Sequence, residues 1–342
     1  MKGYTEEDWM RLALQEARKG IGKTSPNPAV GAVIIKNGQL LSKGWHRRAG
    51  LLHAEIEAIQ ALPDPAQANK STIFITLEPC STYGRTPPCV DTIVRNGFKR
   101  VVVGTMDPNP AHAGRGIGIL REAGIVVIIG VLEKECRQLN EAFNKWIVTK
   151  RPLVIAKCAM SLDGRITRKP GESQWITSEK ARKHVHQLRS SVDAIMVGAE
   201  TVRRDNPQLT IRGLGKRAAQ RQPWRVVISR SGRLPSDSAL LIDLWKNRTL
   251  IFDDLAKALT ELGKQQVTSI LIEGGGELLG SAFDQNLVDR VAFFFAPILV
   301  GGDKSAVAGL GVDANKNAIH LEDICYEKMG SELFCEARVK KV

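Results

Sequence analysis
The stretch Leu77–Val90, LEPCSTYGRTPPCV, read together with His53, Ala54 and Glu55 upstream, constrains this chain more than any other feature. It supplies three residues with zinc-ligand chemistry, His53, Cys80 and Cys89, and one carboxylate, Glu55, two positions after the histidine. Three protein ligands leave a fourth position for water, which is the inventory of a hydrolytic zinc site; a structural site fills all four with protein. Each cysteine follows a proline, and helices starting there would favour the thiolate that binds metal. Glu55 is then spare to take a proton from water and deliver it to a leaving amine. Taken singly, His53 reads as a packed histidine and Cys80 as a small buried hydrophobe. Four components in this order favour the metal.

The order H-x-E, then P-C and a later Cys, is the signature of zinc deaminases acting on bases. Eight residues, Ser81 through Pro88, separate the two cysteines here, where the signature has two. The longer insert adds a polar loop, Ser81 to Thr86, which faces substrate on this reading.

A chain of 342 residues is long enough for two domains with separate cores. No apolar run approaches the length of a membrane helix, and the start, MKGYTEEDWMRL, has no signal-peptide core, so the expected location is the cytoplasm. Cys136, Cys158, Cys325 and Cys335 then read as buried or reduced thiols. The net charge of +13 suits nucleic acid or a phosphorylated small molecule. Aromatic residues make up only 5% and are not interleaved with basic ones, which puts nucleic acid second.

In chain order, Thr5 and Asp8 form a capping-box start for a helix with Trp9, Leu12, Ala13 and Ala17 in register, stopping at Gly20. Val30–Ile35 and Leu40–Lys43 read as strands joined by an Asn37-Gly38 turn. Asn27, held between prolines, precedes the first strand, and His46 follows the second. A helix from His53 carries Ile56, Ile59 and Leu62, and Ser71–Leu77 is a strand. Cys89 opens a helix with Val90, Ile93 and Val94 on one face; Arg100–Gly104 is the next strand. Asp107 and Asn109 stand in a proline-fixed loop at its carboxyl end, the usual ligand edge of such sheets. His112 reads as a loop histidine, three ligands being already in hand. Val126–Val131 and a helix over Glu133–Trp146 close the first half.

Arg151-Pro152 breaks that helix, which puts a boundary near Lys150. A second α/β unit follows, with strands from Leu153 and at Val192–Val197, Trp224–Ile228, Thr249–Phe252, Ser269–Ile272 and Arg290–Ala296. Helices fall near Ser178–Ser190 and Asp254–Lys264. The glycine-rich turn Gly274–Gly276 between strand and helix can bring backbone N–H groups to a phosphate, although a tight turn without ligand reads almost as well. Ser161–Gly164, Gly171–Thr177 and Thr201–Arg212 read as companion loops of a nucleotide site.

Through PNPAVGAVI, HAE, TLEPCSTYGRTPPC and DPNP in the first half, and SLDGRI, GESQWITS, TVRRDNPQLTIR and EGGGELLGS in the second, the whole chain resembles the bifunctional deaminase/reductase family of riboflavin biosynthesis. The resemblance implies a cytidine-deaminase-like α/β/α sandwich over 1–150, followed by a dihydrofolate-reductase-like α/β domain over 151–342. It implies zinc-dependent deamination of 2,5-diamino-6-(5-phosphoribosylamino)pyrimidin-4(3H)-one to 5-amino-6-(5-phosphoribosylamino)uracil, then NADPH-dependent reduction of the ribosyl group to ribityl. It puts zinc on His53, Cys80 and Cys89, the proton shuttle on Glu55, and deaminase substrate contacts on Asn27, His46, Arg85 and Asp107. In the second half it puts substrate on Lys157, Ser173, Arg189, Arg212 and Glu273. NADPH falls on Ala159, Trp175, Thr177, Thr201, Asp205, Leu209, Gly275, Gly276, Glu277, Leu278, Leu279, Gly280 and Ser281. A homo-oligomer, dimer or tetramer, goes with it.

Two positions depart from the family pattern. Thr82 stands where a histidine is usual, and Ser229-Arg230 replaces the usual Asp-Ser; Arg230 can instead grip the 2′-phosphate of NADPH. Two rival readings are a tRNA-base deaminase with an added domain and a zinc-stabilised structural protein. The first leaves the GESQWIT and EGGGELLG loops without a task, and the second lacks a suitably spaced fourth cysteine.

Overall fold
A computed structural model describes residues 4–83, 87–110, 112–166, 176–215, 221–314 and 317–341. The chain divides into two compact units, Met1–Lys150 and Arg151–Val342.

The first unit opens with helix α1 (Glu6–Arg18), started by a capping box in which Thr5 and Asp8 exchange hydrogen bonds. Strands β1 (Gly31–Lys36) and β2 (Gln39–Trp45) form a hairpin about Asn37 and Gly38, both at positive φ as a tight hairpin turn requires. Helix α2 (Ala54–Gln60), strand β3 (Thr72–Ile75), helix α3 (Cys89–Arg95), strand β4 (Arg100–Val103), helix α4 (Arg115–Glu122) and strand β5 (Val126–Ile129) follow, then helices α5 (Glu133–Leu139) and α6 (Glu141–Thr149). The sheet order is β2-β1-β3-β4-β5, with β3, β4 and β5 parallel and β1 antiparallel to both its neighbours.

Alternation along the strands divides the core into two layers. Val33, Ile35, Phe74 and Val102 pack with Trp9, Met10, Ala13 and Leu14 of α1. Ala32, Ile34, Ile73, Ile75, Val101 and Val103 pack on the other side with α2, α3 and α4 through Ala58, Ile59, Val90, Ile93 and Leu120. Gly44 lets α2 lie directly on β2, since a Cβ there would stand 2.4 Å from the Ala58 nitrogen. The helix carrying Glu55 is thereby held against the sheet.

Three local expectations are corrected. The single helix over Glu133–Trp146 is two helices broken at Asn140, whose side chain takes the Ala29 N–H at 2.7 Å and donates to the Ala29 carbonyl at 2.9 Å. Val94 is exposed and leaves the buried face of α3 to Val90 and Ile93. Cys80 starts no helix: it lies in coil, and only Cys89 opens one, with Pro88 as its N-cap.

The second unit contains β6 (Leu153–Ser161), α7 (Glu179–Ser191), β7 (Ala194–Gly198), α8 (Ala199–Asp205), β8 (Trp224–Ile228), α9 (Ala239–Ile242), β9 (Thr249–Phe252), α10 (Leu255–Lys264), β10 (Ser269–Ile272), α11 (Gly276–Asp284), β11 (Arg290–Ala296), β12 (Leu321–Met329) and β13 (Glu332–Val339). The strands form one sheet in the order β12-β13-β11-β6-β10-β7-β8-β9, parallel from β11 through β9 with an antiparallel β12-β13 edge. Val154, Ala156, Met196, Val226, Ile270 and Ile272 meet α10 and α11 on one face. Ile195, Val197, Val227 and Leu271 meet Val202 of α8 and Leu240 of α9 on the other. The expected loop Thr201–Arg212 is helical as far as Asp205, and Asn206 ends α8 in a left-handed conformation. Among the described residues no helix is long and apolar enough to cross a membrane.

Candidate active sites
Strand direction gathers the first site on one edge of its sheet. The chain reaches Cys80 beyond the carboxyl end of β3 and Asp107 beyond that of β4, the edge where ligands bind in such sheets. Because β1 runs antiparallel to β3, Asn27 before β1 and His46 after β2 come to the same edge. There the Asn27 Nδ2 lies 3.1 Å from His46 Nε2, and His46 Nδ1 lies 2.9 Å from the Leu52 carbonyl oxygen. Burial pushes the His46 imidazole down, which favours its neutral form. His46 and His53 meet edge to face, with ring centroids 5.3 Å apart.

His53, Cys80 and Cys89 present ligand atoms that all lie within 4.8 Å of one another. His53 Nδ1 is 3.2 Å from the Cys89 sulfur and 3.4 Å from that of Cys80. Tetrahedral zinc with bonds of about 2.0–2.3 Å spaces its ligand atoms by roughly 3.3–3.8 Å, and the two histidine–sulfur separations lie close to that spacing. The contact with the Cys80 sulfur pushes His53 up to about 9. Cys80, facing Cys89 and His53, is drawn down to about 4, while that same thiol contact and burial push Cys89 up. The Cys89 N–H, first of α3, points at the Cys80 sulfur at 3.3 Å. The helix start therefore serves Cys80 from across the site, which replaces the helix expected at Cys80 itself. His112 stands outside this cluster.

Glu55 lies on the first turn of α2, and only 3% of its surface is exposed. Burial pushes its carboxyl up, with the neighbouring Cys80 adding to the shift and His53 opposing it. A buried carboxyl beside three side chains able to hold a metal is suited to carrying a proton in both directions. Burial likewise raises Asp107, whose Oδ1 accepts the Asn109 N–H at 2.9 Å. Arg85 lies outside the described residues.

Sequence reasoning missed Glu78. Its buried carboxylate accepts backbone N–H groups of Asp107 (3.2 Å), Gly114 (3.0 Å), Gly116 (2.9 Å) and Ile117 (3.3 Å). It thus ties the cysteine loop to the Asp107 loop and to the start of α4. An acid placed directly after the apolar stretch TIFITL, two residues before Cys80, was the signal available.

In the second unit, an open cleft of about 2100 Å³ runs over the carboxyl ends of β10, β7, β8 and β9. At its floor Glu273, following β10, accepts from Arg189 Nε at 2.6 Å and Nη2 at 3.0 Å. Lys157 Nζ of β6 lies 3.9 Å away. Burial works to raise the Glu273 carboxyl, but Arg189 and Lys157 outweigh it and hold the group below its usual value. Arg189 also donates to the Thr210 carbonyl at 2.9 Å, and His186 Nδ1 accepts the Arg212 N–H at 3.2 Å.

The cleft is lined by Thr201, Asp205, Leu209, Arg212, Gly275, Gly276, Glu277, Leu278 and Ser281, together with Arg230. The guanidinium groups of Arg212 and Arg230 meet no carboxylate among the described residues, which leaves them able to receive anions. Gly276 is required where α11 starts, because a Cβ would stand 2.2 Å from the Ser305 carbonyl oxygen. Helical periodicity turns the next residues away from the cleft: Leu279 is fully buried in the core, and Gly280 packs against the Ala308 carbonyl. Ala159 is half-buried beside α7, and the Thr177 carbonyl accepts from Arg182. Ser173 and Trp175 lie outside the described residues.

Two supports of the cleft wall also went unread in the sequence. Arg225, 1% exposed, grips Asp243 at 2.6 and 2.9 Å and donates to the Gln208 carbonyl. The Gln222 amide closes both backbone bonds of Ile211.

The folds and sites define a two-part enzyme, a zinc-binding deaminase unit followed by a reductase unit of the NADPH-dependent kind. Residues 4–105 match the family described as the cytidine and deoxycytidylate deaminase zinc-binding region, and residues 152–334 match the RibD C-terminal domain. Riboflavin biosynthesis protein RibD of Actinobacillus pleuropneumoniae is 40% identical, over 98% of this chain and 96% of that protein. The Aquifex aeolicus RibD is 36% identical over 96% and 97% of the two chains. Among solved structures, Acinetobacter baumannii RibD superposes with a TM-score of 0.89 at 34% identity, covering 98% of this chain and 99% of that one. A Thermotoga maritima diaminohydroxyphosphoribosylaminopyrimidine deaminase/5-amino-6-(5-phosphoribosylamino)uracil reductase gives 0.85 at 34% identity, covering 98% of each chain. The chain belongs to the RibD family, the bifunctional deaminase/reductases of riboflavin biosynthesis.

Proposed function
We propose that the first unit hydrolytically deaminates 2,5-diamino-6-(5-phosphoribosylamino)pyrimidin-4(3H)-one, and that the second reduces the ribosyl group of the resulting 5-amino-6-(5-phosphoribosylamino)uracil to ribityl. The observation that carries the reading is the buried Glu55 beside the triad of His53, Cys80 and Cys89. The activities named for the Thermotoga maritima protein support the choice of substrates.

His53, Cys80 and Cys89 would hold zinc, which when bound would supply Lewis acidity and a water nucleophilic near neutral pH. Glu55 takes the proton from the attacking water and passes it to departing ammonia. Asn27, His46, Arg85 and Asp107 orient the pyrimidine. In the second unit, the basic groups of Lys157, Arg189 and Arg212 suit the phosphoribosyl group, and Glu273 suits its hydroxyls. Ser173 joins them at the substrate. Ala159, Trp175, Thr177, Thr201, Asp205, Leu209 and the segment Gly275–Ser281 would hold NADPH, which would supply the hydride when bound. Leu279 and Gly280 act there by fixing α11, as their inward placement suits. The reductase residues bring hydride and acceptor together by positioning.

The enzyme works in the cytoplasm, a reducing compartment suited to its six unpaired cysteines, and takes small phosphoribosylated pyrimidines, not nucleic acid. It assembles as a dimer or tetramer: β12 is an outer strand that exposes Ile324 and Tyr326, and light scattering would test this. The test of function follows NADPH absorbance when the diaminopyrimidine ribotide is added. Oxidation should vanish in Glu55→Gln and return when the deaminated intermediate is supplied. No oxidation of NADPH with either compound would refute the reductase assignment.

A further inference from the structure
The cysteine loop meets the segment that follows β4 at two points, Glu78 and Thr82. Glu78 fixes the backbone at Asp107, Gly114, Gly116 and Ile117. Four residues further on, Thr82 Oγ1 lies 3.5 Å from His112 Nδ1, the outer limit of a hydrogen bond. His112 is half-buried in the segment Glu78 immobilises, its own N–H bonded to the Asn109 carbonyl at 2.9 Å. Asp107, a substrate contact on the reading above, lies five residues before His112, and Thr82 lies two residues after Cys80.

The chemistry of the pair is directional. A threonine hydroxyl can donate to Nδ1, and the neutral ring then carries its proton on Nε2. Nε2 has no hydrogen-bond partner among the described residues.

We propose that His112 is a substrate-binding residue of the deaminase, its Nε2–H donating to an oxygen of the bound ribotide while Thr82 fixes the ring. The inference rests on the deaminase reading above.

The test uses the full chain loaded with zinc, with initial rates of ammonia release from the diaminopyrimidine ribotide. His112→Leu should raise KM about tenfold and leave kcat within about twofold, the pattern of a lost binding contact. His112→Gln, whose amide can place an N–H near the position of Nε2, should recover most of the loss. Zinc content and NADPH oxidation with the deaminated intermediate should stay at parental values in both variants. A KM for His112→Leu within twofold of the parent overturns the proposal. So does loss of zinc together with kcat, which marks a structural role, or equal impairment of the Gln and Leu variants, which marks packing. A parent that releases no ammonia overturns the deaminase reading itself, and this inference with it.

Discussion

Glu273→Gln isolates the charge arrangement on which the reductase cleft is built. The side chains of Glu273, Arg189 and Lys157 are 7%, 12% and 16% exposed, so solvent screens them little. The substitution preserves shape but removes the one carboxylate that Arg189 grips at 2.6 and 3.0 Å and that Lys157 faces at 3.9 Å. Breaking such a buried pair costs about 3–5 kcal/mol, because the remaining charges stay buried without a partner. The amide oxygen can still accept one Arg189 N–H, which places the expected loss near the lower end, about 3 kcal/mol. In a unit of this size that lowers the unfolding midpoint by roughly 6–12 °C. Calorimetry of the full chain, with deaminase activity retained after heating as the reference, reads the effect on the second unit alone. A midpoint within about 1 °C of the parent would refute the argument. So would strict additivity in the cycle Arg189→Leu, Glu273→Leu and the double variant, since coupled charges must make the double change milder than the sum. The pH dependence has a fixed sign. The Glu273 carboxyl is held below 4.5, so its stabilisation is present above that value and is lost as pH falls through the lowered one. Glu273→Gln should lack this acid limb.

Three further outcomes follow from the same geometry. Removing zinc with a chelator should abolish ammonia release while NADPH oxidation on the deaminated intermediate continues, and one equivalent of zinc should restore the first activity. Glu78→Ala strips four backbone N–H groups of their acceptor, so zinc transfer to a chromophoric chelator should speed up at least tenfold and the first unit should lose about 3 kcal/mol; an unchanged transfer rate would remove Glu78 as the organiser of the loop. Arg230→Ala should raise KM for NADPH several-fold and leave KM for NADH alone, because Arg230 lines the cleft with no carboxylate partner among the described residues; equal use of both cofactors by the parent would undo that reasoning.

What can be read from this sequence divides by the range of the interactions that decide each feature. Strands such as Trp224–Ile228 and Ser269–Ile272 announce themselves because their burial is continuous, and the capping box at Thr5 and Asp8 needs only neighbours three residues apart. Among the zinc-type residues, His53 opens α2 and Cys89 opens α3, which local signals foretell. Other features depend on partners that no window contains. Asn140 breaks its helix for the sake of Ala29, 111 residues earlier. The β12-β13 hairpin hides because β12 is an outer strand whose mixed charged and apolar sequence is almost wholly exposed. Cys80 falls in the same class, since the N–H that supports its thiolate comes from Cys89 across the site. Glu78 is the extreme case: its neighbours in sequence suggest an exposed acid at a strand end, and its backbone partners lie 29 to 39 residues further along. A buried carboxylate in that place is stable only because four N–H groups converge on it. The geometry of the first site therefore depends on Glu78, a residue whose task becomes visible only once the chain has folded around it.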